Sequence, residues 1–444
     1  MYVIEPERKI PVSADVDLFV AGGSCTGVFA AVRAARLGMK VMLAERGNCL
    51  GGTATQGLVN IWRSLKDTDY KNYVIAGLTA EMTERLVKSG SALLDDNPST
   101  AINFDPNRLK FELDKLVSEE KVEVVFHTLC VGAITDGKDV KAAIIENKDG
   151  RSAIKARFFI DATGDGDIMK YLGEEFYKGS PMQPPTTCFL MQGDLTGVDY
   201  QKIIATHGSE VGLPDDFGWS DTVAGLEGID LRADFHVFGV DCSCARDLTF
   251  AETEGRRKAY AFIELIKKYA GRDLKVVSLS SLAGIRETNH FVTKTKASGW
   301  DMLYGKRYDD AILNGTYRID MHDEDGGITF MYLNGDKIYM KGAERITQKS
   351  NWREELGISG TPHKYYQIPF SVLVGEKFNN LIAAGRMINA DKMAFGALRV
   401  MVNLNQIGEA AGVAAYLCAR SSLPVSKLDG VKVRETLRRG GSAL

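Results

Sequence analysis

One stretch constrains this chain more than any other. The apolar run Val16-Asp17-Leu18-Phe19-Val20-Ala21 ends in Gly22-Gly23-Ser24-Cys25-Thr26-Gly27, and a segment of small residues follows at once. Residues 28–37 suit a helix packed closely on a strand, Gly38 ends it, and a second apolar run at 40–44 delivers Glu45. That order spells a βαβ unit whose first turn approaches a pyrophosphate. Gly22 permits the tight turn, and Gly27 lets the helix close on the strand. Free N–H groups at the helix start, near Thr26, aim the positive end of the helix dipole at phosphate oxygens. Glu45 falls about 20 residues after the glycines, where a carboxylate accepts both hydroxyls of an adenosine ribose. Ser24 replaces the usual middle glycine, and its short hydroxymethyl group can itself hydrogen-bond a phosphate. The alternative is an ordinary strand-to-helix turn, and the strand before, the helix after and the acid on schedule together favour the nucleotide.

Bulk properties narrow what surrounds that unit. With 444 residues the chain is too long for one core and predicts two or three domains. Its 45% hydrophobic and 25% charged content is that of a soluble globular protein. A formal net charge of -3, with no basic tract, argues against nucleic acid or an anionic membrane as partner. Seven scattered cysteines, an odd number, suit reduced thiols better than a disulfide framework. The first residues carry charge where a signal peptide is apolar, and no run approaches the roughly 20 apolar residues of a membrane span. The expected location is the cytoplasm.

Three further stretches are not explained by hydrophobic period. Straight after Glu45, the segment Arg46 to Gly57 (RGNCLGGTATQG) is either a flexible turn or a loop folded over a diphosphate, and its place behind the ribose acid favours the loop. Phe158 to Asp167 (FFIDATGDGD) runs a buried strand into an acid-glycine-acid turn; it lacks the spacing and terminal glutamate of a calcium loop, so no metal is expected. Asn380 to Arg386 is a short buried strand ending in Gly385-Arg386, and Gly396 to Leu404 then enters a small-residue helix expected over 406–419. Between about 174 and 377, short segments, a proline cluster and polar loops replace the strand–helix alternation. Cys242 and Cys244 have no second cysteine pair to complete a zinc or iron–sulfur set.

The βαβ unit followed by Glu45-Arg46-x-x-x-Leu50-Gly51-Gly52 resembles the FAD-dependent oxidoreductases with a glutathione-reductase-type nucleotide fold. The likeness is nearest to the large family that also contains the flavin subunit of heterodisulfide reductases. Its members are similar at both chain ends to the succinate dehydrogenase and fumarate reductase flavoproteins. The resemblance implies an α/β protein with a Rossmann-like FAD-binding domain at 1–175 and 376–444, and a mixed α+β substrate domain inserted at 176–375. It implies FAD contacts from Gly22, Gly23, Ser24, Cys25, Thr26 and Gly27, and from Glu45, Arg46, Gly51, Gly52, Thr53, Ala54 and Thr55. Cys130 or Val131, just past the strand-like 122–127, would meet the adenine. Ala162, Thr163, Gly164 and Asp167 would close over the adenosine-diphosphate side, with Gly385 and Arg386 against the ribitol and diphosphate. Helix-start amides of Val402, Asn403 and Leu404 would face the flavin pyrimidine, where reduced flavin carries negative charge that a helix N-terminus stabilises.

Catalytic candidates are fewer. Arg399, beside that helix start, adds positive charge for the reduced flavin or for an anionic substrate. Arg286 lies in Gly284-Ile285-Arg286-Glu287, which matches the family; it either holds a substrate anion or pairs with Glu287 or another carboxylate. Tyr366 lies in Tyr365 to Phe370, similar to the family's returning Y-x-I-P strand, and either reaches the flavin or is core. His290, His322 and His363 titrate near neutrality, but nothing in their spacing selects one. The iron–sulfur cysteine runs of the heterodisulfide reductase branch are absent, and Asn403-Leu404 stands where fumarate reductases carry Asn-Ser. Neither substrate carries over. The expected activity is hydride transfer between a small, anionic organic substrate and the N5 of noncovalent FAD. A flavin monooxygenase and a non-catalytic FAD-binding module are the alternatives.

Overall fold

The computed structural model describes residues 2–94, 102–216, 218–233 and 235–444. Strand β1 (Val12–Ala21) becomes wholly apolar as it enters the core, where Leu18, Phe19 and Val20 are fully buried. Helix α1 (Cys25–Arg36) follows and is buried from Cys25 through Ala34, so it needs small side chains on every face. It starts at Cys25, ahead of the expected position 28, because the Ser24 carbonyl already accepts the Val28 amide. Strand β2 (Val41–Ala44) then returns parallel to β1, with Leu18 opposite Val41.

Helices α2 (Leu78–Lys88) and α3 (Pro106–Glu119) bury Leu78, Met82, Leu109 and Leu113 in the same core as α1. Asp105 caps α3 by accepting the Asn107 amide, and Pro106 occupies the first turn, where its missing N–H has no consequence. Strand β3 (Glu123–Val125) adds parallel to β2. An antiparallel meander follows: β4 (Leu129–Asp136), β5 (Asp139–Asn147) and β6 (Gly150–Asp161). The last strand is long enough to pair with β5 at its start and to run parallel to β1 at its end. Helix α4 (Asp167–Tyr171) follows directly.

Residues beyond this point build separate sheets. Strands β7 (Phe189–Gln192), β8 (Trp219–Thr222), β9 (Ile229–Ala233) and, after the long helix α5 (Ala245–Ala270), β10 (Lys275–Leu279) form an antiparallel sheet in the order β8-β9-β7-β10. Phe262 and Leu265 of α5 bury its inner face against Phe189 and Met191. After β11 (Ala311–Gly315), a third sheet runs through β12 (Ile319–His322), β13 (Ile328–Met331), β14 (Asp336–Lys341) and β15 (Ile346–Asn351). Strand β16 (Tyr366–Pro369) brings the chain back antiparallel to β11. Strand β17 (Leu381–Ala383) then pairs parallel with β6, more than two hundred positions away in sequence, and so rejoins the first sheet.

Helices α6 (Lys392–Leu398) and α7 (Met401–Ser421) end this part of the chain. Gly408 and Gly412 of α7 sit directly on the Thr26 and Ala30 carbonyls of α1, so that a methyl group at either glycine would collide with backbone. The same helix carries Glu409, which pairs with Arg33 of α1 and accepts the Leu78 amide at the start of α2 at 2.9 Å. A buried carboxylate thus ties three helices. The architecture is mixed α/β with a Rossmann-like parallel core. Among the described residues no helix is long and apolar enough to cross a membrane.

Candidate active site

The carboxyl ends of β1, β2, β6 and β17 converge on one side of the parallel sheet, where folds of this kind take their ligands. Gly22, at φ 100°, turns the chain after β1; a Cβ there would run into the Ala162 backbone at the end of β6. Gly27 lies just as tightly over the Gly22 carbonyl. Glu45 ends β2 buried, and its carboxylate accepts the Gly23 amide at 2.6 Å and the Gly47 amide at 2.7 Å. Those two bonds clamp the first turn to the loop after β2.

Three adjoining cavities form a trough along this edge. Glu45, Arg46, Thr128, Cys130, Thr163 and Asp167 border one end. Gly22, Ser24, Gly52, Thr53, Ala162 and Arg386 border the middle, with Glu45 between the two. Cys25, Thr26, Gly51, Gly164, Gly385 and Leu404 line the wide end, and Ser24 and Arg386 extend into it. Thr163 fixes the floor: its hydroxyl donates to Asp161 at 2.7 Å and accepts the Gly166 and Asp167 amides, each at 3.0 Å. The acidic turn faces arginines. Asp165 pairs with Arg386 and lies 3.8 Å from Arg46. Burial first, then repulsion from Asp161 and Asp165, pushes the Asp167 carboxyl up to about 7.

Several expected contacts lie behind the trough instead of in it. Gly23 and Gly27 serve the turn through backbone packing, as described. Ala54 is fully buried, and Thr55 turns its hydroxyl to the Leu50 carbonyl at 2.6 Å. Val131 points to the opposite face of β4 from Cys130 and packs against Ala142, Ile144 and Ala153. Val402 is buried in α7. Asn403 donates to the Ala397 carbonyl at 2.9 Å and to the Tyr366 hydroxyl at 3.0 Å. Tyr366 is therefore core: it is 1% exposed and borders none of the three cavities.

Facing the wide end is a wall of which the sequence motifs marked only Arg286 and Arg399. Arg63, Arg286, Tyr317, Asp320 and Arg399 all line it, contributed by four separate stretches of chain. Arg399 Nη2 meets Asp320 Oδ2 at 3.2 Å, and the Tyr317 hydroxyl donates to the same oxygen at 2.8 Å. The Arg63 guanidinium lies 5.1 Å from the Tyr317 ring centre. Arg286 does not pair with its neighbour Glu287, which bonds His290 Nε2 at 2.8 Å and the Gln183 amide at 2.7 Å. It donates instead to the Pro184 carbonyl and the Thr186 hydroxyl, both at 2.6 Å. Burial, and then the Arg399 charge, pulls the Arg286 guanidinium down to about 10. Burial alone would raise Asp320, but Arg399, Arg318, the Tyr317 hydrogen bond and Arg286 outweigh it and hold the carboxyl below its usual range. His322 lies behind Asp320, Nε2 to Oδ1 3.9 Å; burial, His236, Arg286 and Arg399 keep it neutral.

The sequence matches the family described as FAD dependent oxidoreductase over residues 17–437. The chain belongs to that family. No curated protein matches this oxidoreductase. Among solved structures, a geranylgeranyl bacteriochlorophyll reductase-like protein from Thermoplasma acidophilum is similar at 12% identity and TM-score 0.45, covering 96% of this chain and 83% of that one. A flavin-dependent brominase is similar at 10% identity and TM-score 0.47, with 96% and 84% covered. The myxobacterial chondrochloren halogenase, an FAD-dependent enzyme, is similar at 12% identity and TM-score 0.47, with 96% and 79% covered.

The cofactor of the oxidoreductase is FAD, and two features of the trough fit it. Asn405, in the second turn of α7, is fully buried and lines the wide end, yet neither atom of its amide has a hydrogen-bond partner. An unpaired buried amide costs about 1–3 kcal/mol, which the polar edge of a bound ring system would offset. The Val400 carbonyl accepts the Asn403 and Leu404 amides, leaving those of Met401 and Val402 at the positive end of α7. Asn405 escapes a motif-based reading, although a lone amide in a stripe of small residues is a visible signal. Arg63, Tyr317 and Asp320 leave none.

Proposed function

We propose that this protein exchanges a hydride between FAD and a small organic acid, as a cytoplasmic enzyme in which residues 176–375 form the substrate domain. One observation carries the anionic part of this reading. Arg63 and Arg286 line the FAD-side cavity, and among the described residues neither forms an ion pair with a carboxylate. A guanidinium lining a cavity with no carboxylate at ion-pair distance is incompletely compensated, and a ligand carboxylate supplies a partner in a geometry that arginine's planar fork matches.

Bound FAD supplies a two-electron acceptor and donor at flavin N5. Glu45 would accept its ribose hydroxyls beside Cys130, while Ser24, Thr163 and Arg386 would face the diphosphate. Thr53, Met401, Leu404 and Asn405 would hold the ring system, with the positive end of α7 favouring negative charge on it. Arg286 and Arg399 would orient the substrate carboxylate so that its reacting carbon has one position. Tyr317 would contact the group next to that carbon.

Anaerobic addition of small carboxylic acids to the yellow protein tests this reading. It expects at least one acid to bleach the flavin, and Arg286→Ala to demand a higher acid concentration. Bleaching by neutral compounds alone would refute the anionic substrate. Hydroxylation of a substrate with consumption of oxygen would mark a monooxygenase instead.

A further inference from the structure

The wall places a carboxylate where a substrate anion is expected to bind. Asp320 is 9% exposed, and its Oδ2 is shared by the Tyr317 hydroxyl at 2.8 Å and Arg399 Nη2 at 3.2 Å. Its Oδ1 has no hydrogen-bond partner, and neither do Nε and Nη2 of Arg399 at hydrogen-bond geometry. Arg399 is therefore held by charge alone and has donors to spare. The groups facing Asp320 are Arg399, Arg318, Arg286, Tyr317 and His322, with His322 neutral.

We propose that a carboxylate substrate, by pairing with Arg399 and Arg286, releases Asp320 to receive the substrate's proton through Tyr317. This rests on the anionic-substrate reading above. The physical reason is a change of balance around one buried group. Without substrate, positive charge outweighs burial and keeps Asp320 ionised. A bound anion cancels that positive charge while leaving the burial, so the same carboxyl becomes basic. The oxidation then balances. A substrate C–H bond breaks with its electron pair passing to oxidised FAD. The proton of the adjacent O–H or N–H moves to the Tyr317 oxygen, the Tyr317 proton moves to Asp320 Oδ2, and the substrate is left with a C=O or C=N bond. The substrate class is thus an acid bearing a hydroxyl or amino group beside its oxidisable carbon. An acid alone binds, but it offers no proton to this pair.

The test is proton uptake by the FAD-loaded protein in weak buffer stepped from pH 8 to pH 6, on addition of acetate, oxalate or malonate, with affinity read from the flavin spectrum. The expected result is proton uptake on anion binding that is near zero at pH 8, where Asp320 stays ionised and able to act as a base, and that grows as the pH falls to 6, with binding tightening in step. Both effects should vanish in Asp320→Asn, which should still bind the anion. An infrared difference band of a protonated carboxyl should appear in the parent protein and be missing from the variant. Tyr317→Phe should keep the proton uptake but slow flavin reduction by an oxidisable acid about 100-fold or more. Anion binding without Asp320-dependent uptake overturns this inference alone. Failure of every carboxylate to bind overturns it together with the anionic-substrate reading.

Discussion

The floor of the trough and the wall facing it are built on opposite plans. The floor is backbone: strand ends from β1, β6 and β17 present Gly22, Ala162–Gly164 and Gly385, and the side chains that matter are short. The wall is side chain: three arginines, a tyrosine and an aspartate reach in from separate stretches. A cofactor bound through backbone amides and close approach demands a fixed local sequence, because only certain residues permit the turn. A substrate bound through long side chains demands only that the charges arrive, whichever element delivers them. One region carries the family's motifs, and the other is where we propose that the substrate binds.

That contrast can be broken most severely at the floor. Gly22→Val puts a side chain into the Ala162 backbone at a φ that valine rarely adopts. The variant should purify with less than about one tenth of the parent's flavin absorbance, a loss of more than ~1.4 kcal/mol in FAD binding. On the wall, Arg286→Ala should keep the FAD but weaken carboxylate binding about 10–100-fold, as expected for a charge-assisted bond of about 1.5–3 kcal/mol. Spectral titration separates these outcomes.

Asn405→Ala should act on the two forms of the protein with opposite sign. The apoprotein should melt at a higher temperature, because an unpaired amide is gone, whereas FAD affinity should fall by roughly tenfold. Apoprotein and holoprotein melting curves measure both. Asp167 gives a smaller, pH-dependent effect. Its carboxyl titrates near 7 in the fold against 3.8 when unperturbed, so the folded state holds the extra proton and loses stability as pH rises between those values. Asp167→Asn should remove that loss, making the apoprotein more stable than the parent at pH 8 but not at pH 4. Smallest of all, Tyr366→Phe should cost about 1 kcal/mol of stability through the lost Asn403 bond and leave flavin reduction unchanged.

Much of the floor was legible because its residues are contiguous. The strand–turn–helix at 12–36, the acid at Glu45, the meander and the strands ending at Asp161 and Ala383 all follow from local pattern. Cys130 faces the trough while Val131 faces away, a choice that strand alternation makes only once the register is known. Tyr366 and Asn403 sit within motif segments but face the core, since a motif fixes a backbone path more firmly than the direction of each side chain. The wall was illegible for a different reason. Arg63 and Tyr317 carry no local signature, and their meeting depends on how the sheets beyond residue 189 pack against the first one. Arg286 was visible as a candidate, yet its lack of a carboxylate partner follows from Glu287 turning to His290, which spacing cannot reveal.

A single continuous trough, running from Cys130 to Asn405, is where we expect the cofactor to lie along its length. A crystal structure of the yellow protein measures this most directly. Adenine should lie beside Cys130, the ribose on Glu45, and the flavin ring between Thr53 and Asn405, facing Arg399. FAD bound elsewhere, or lying in the trough with its ends exchanged, would contradict it.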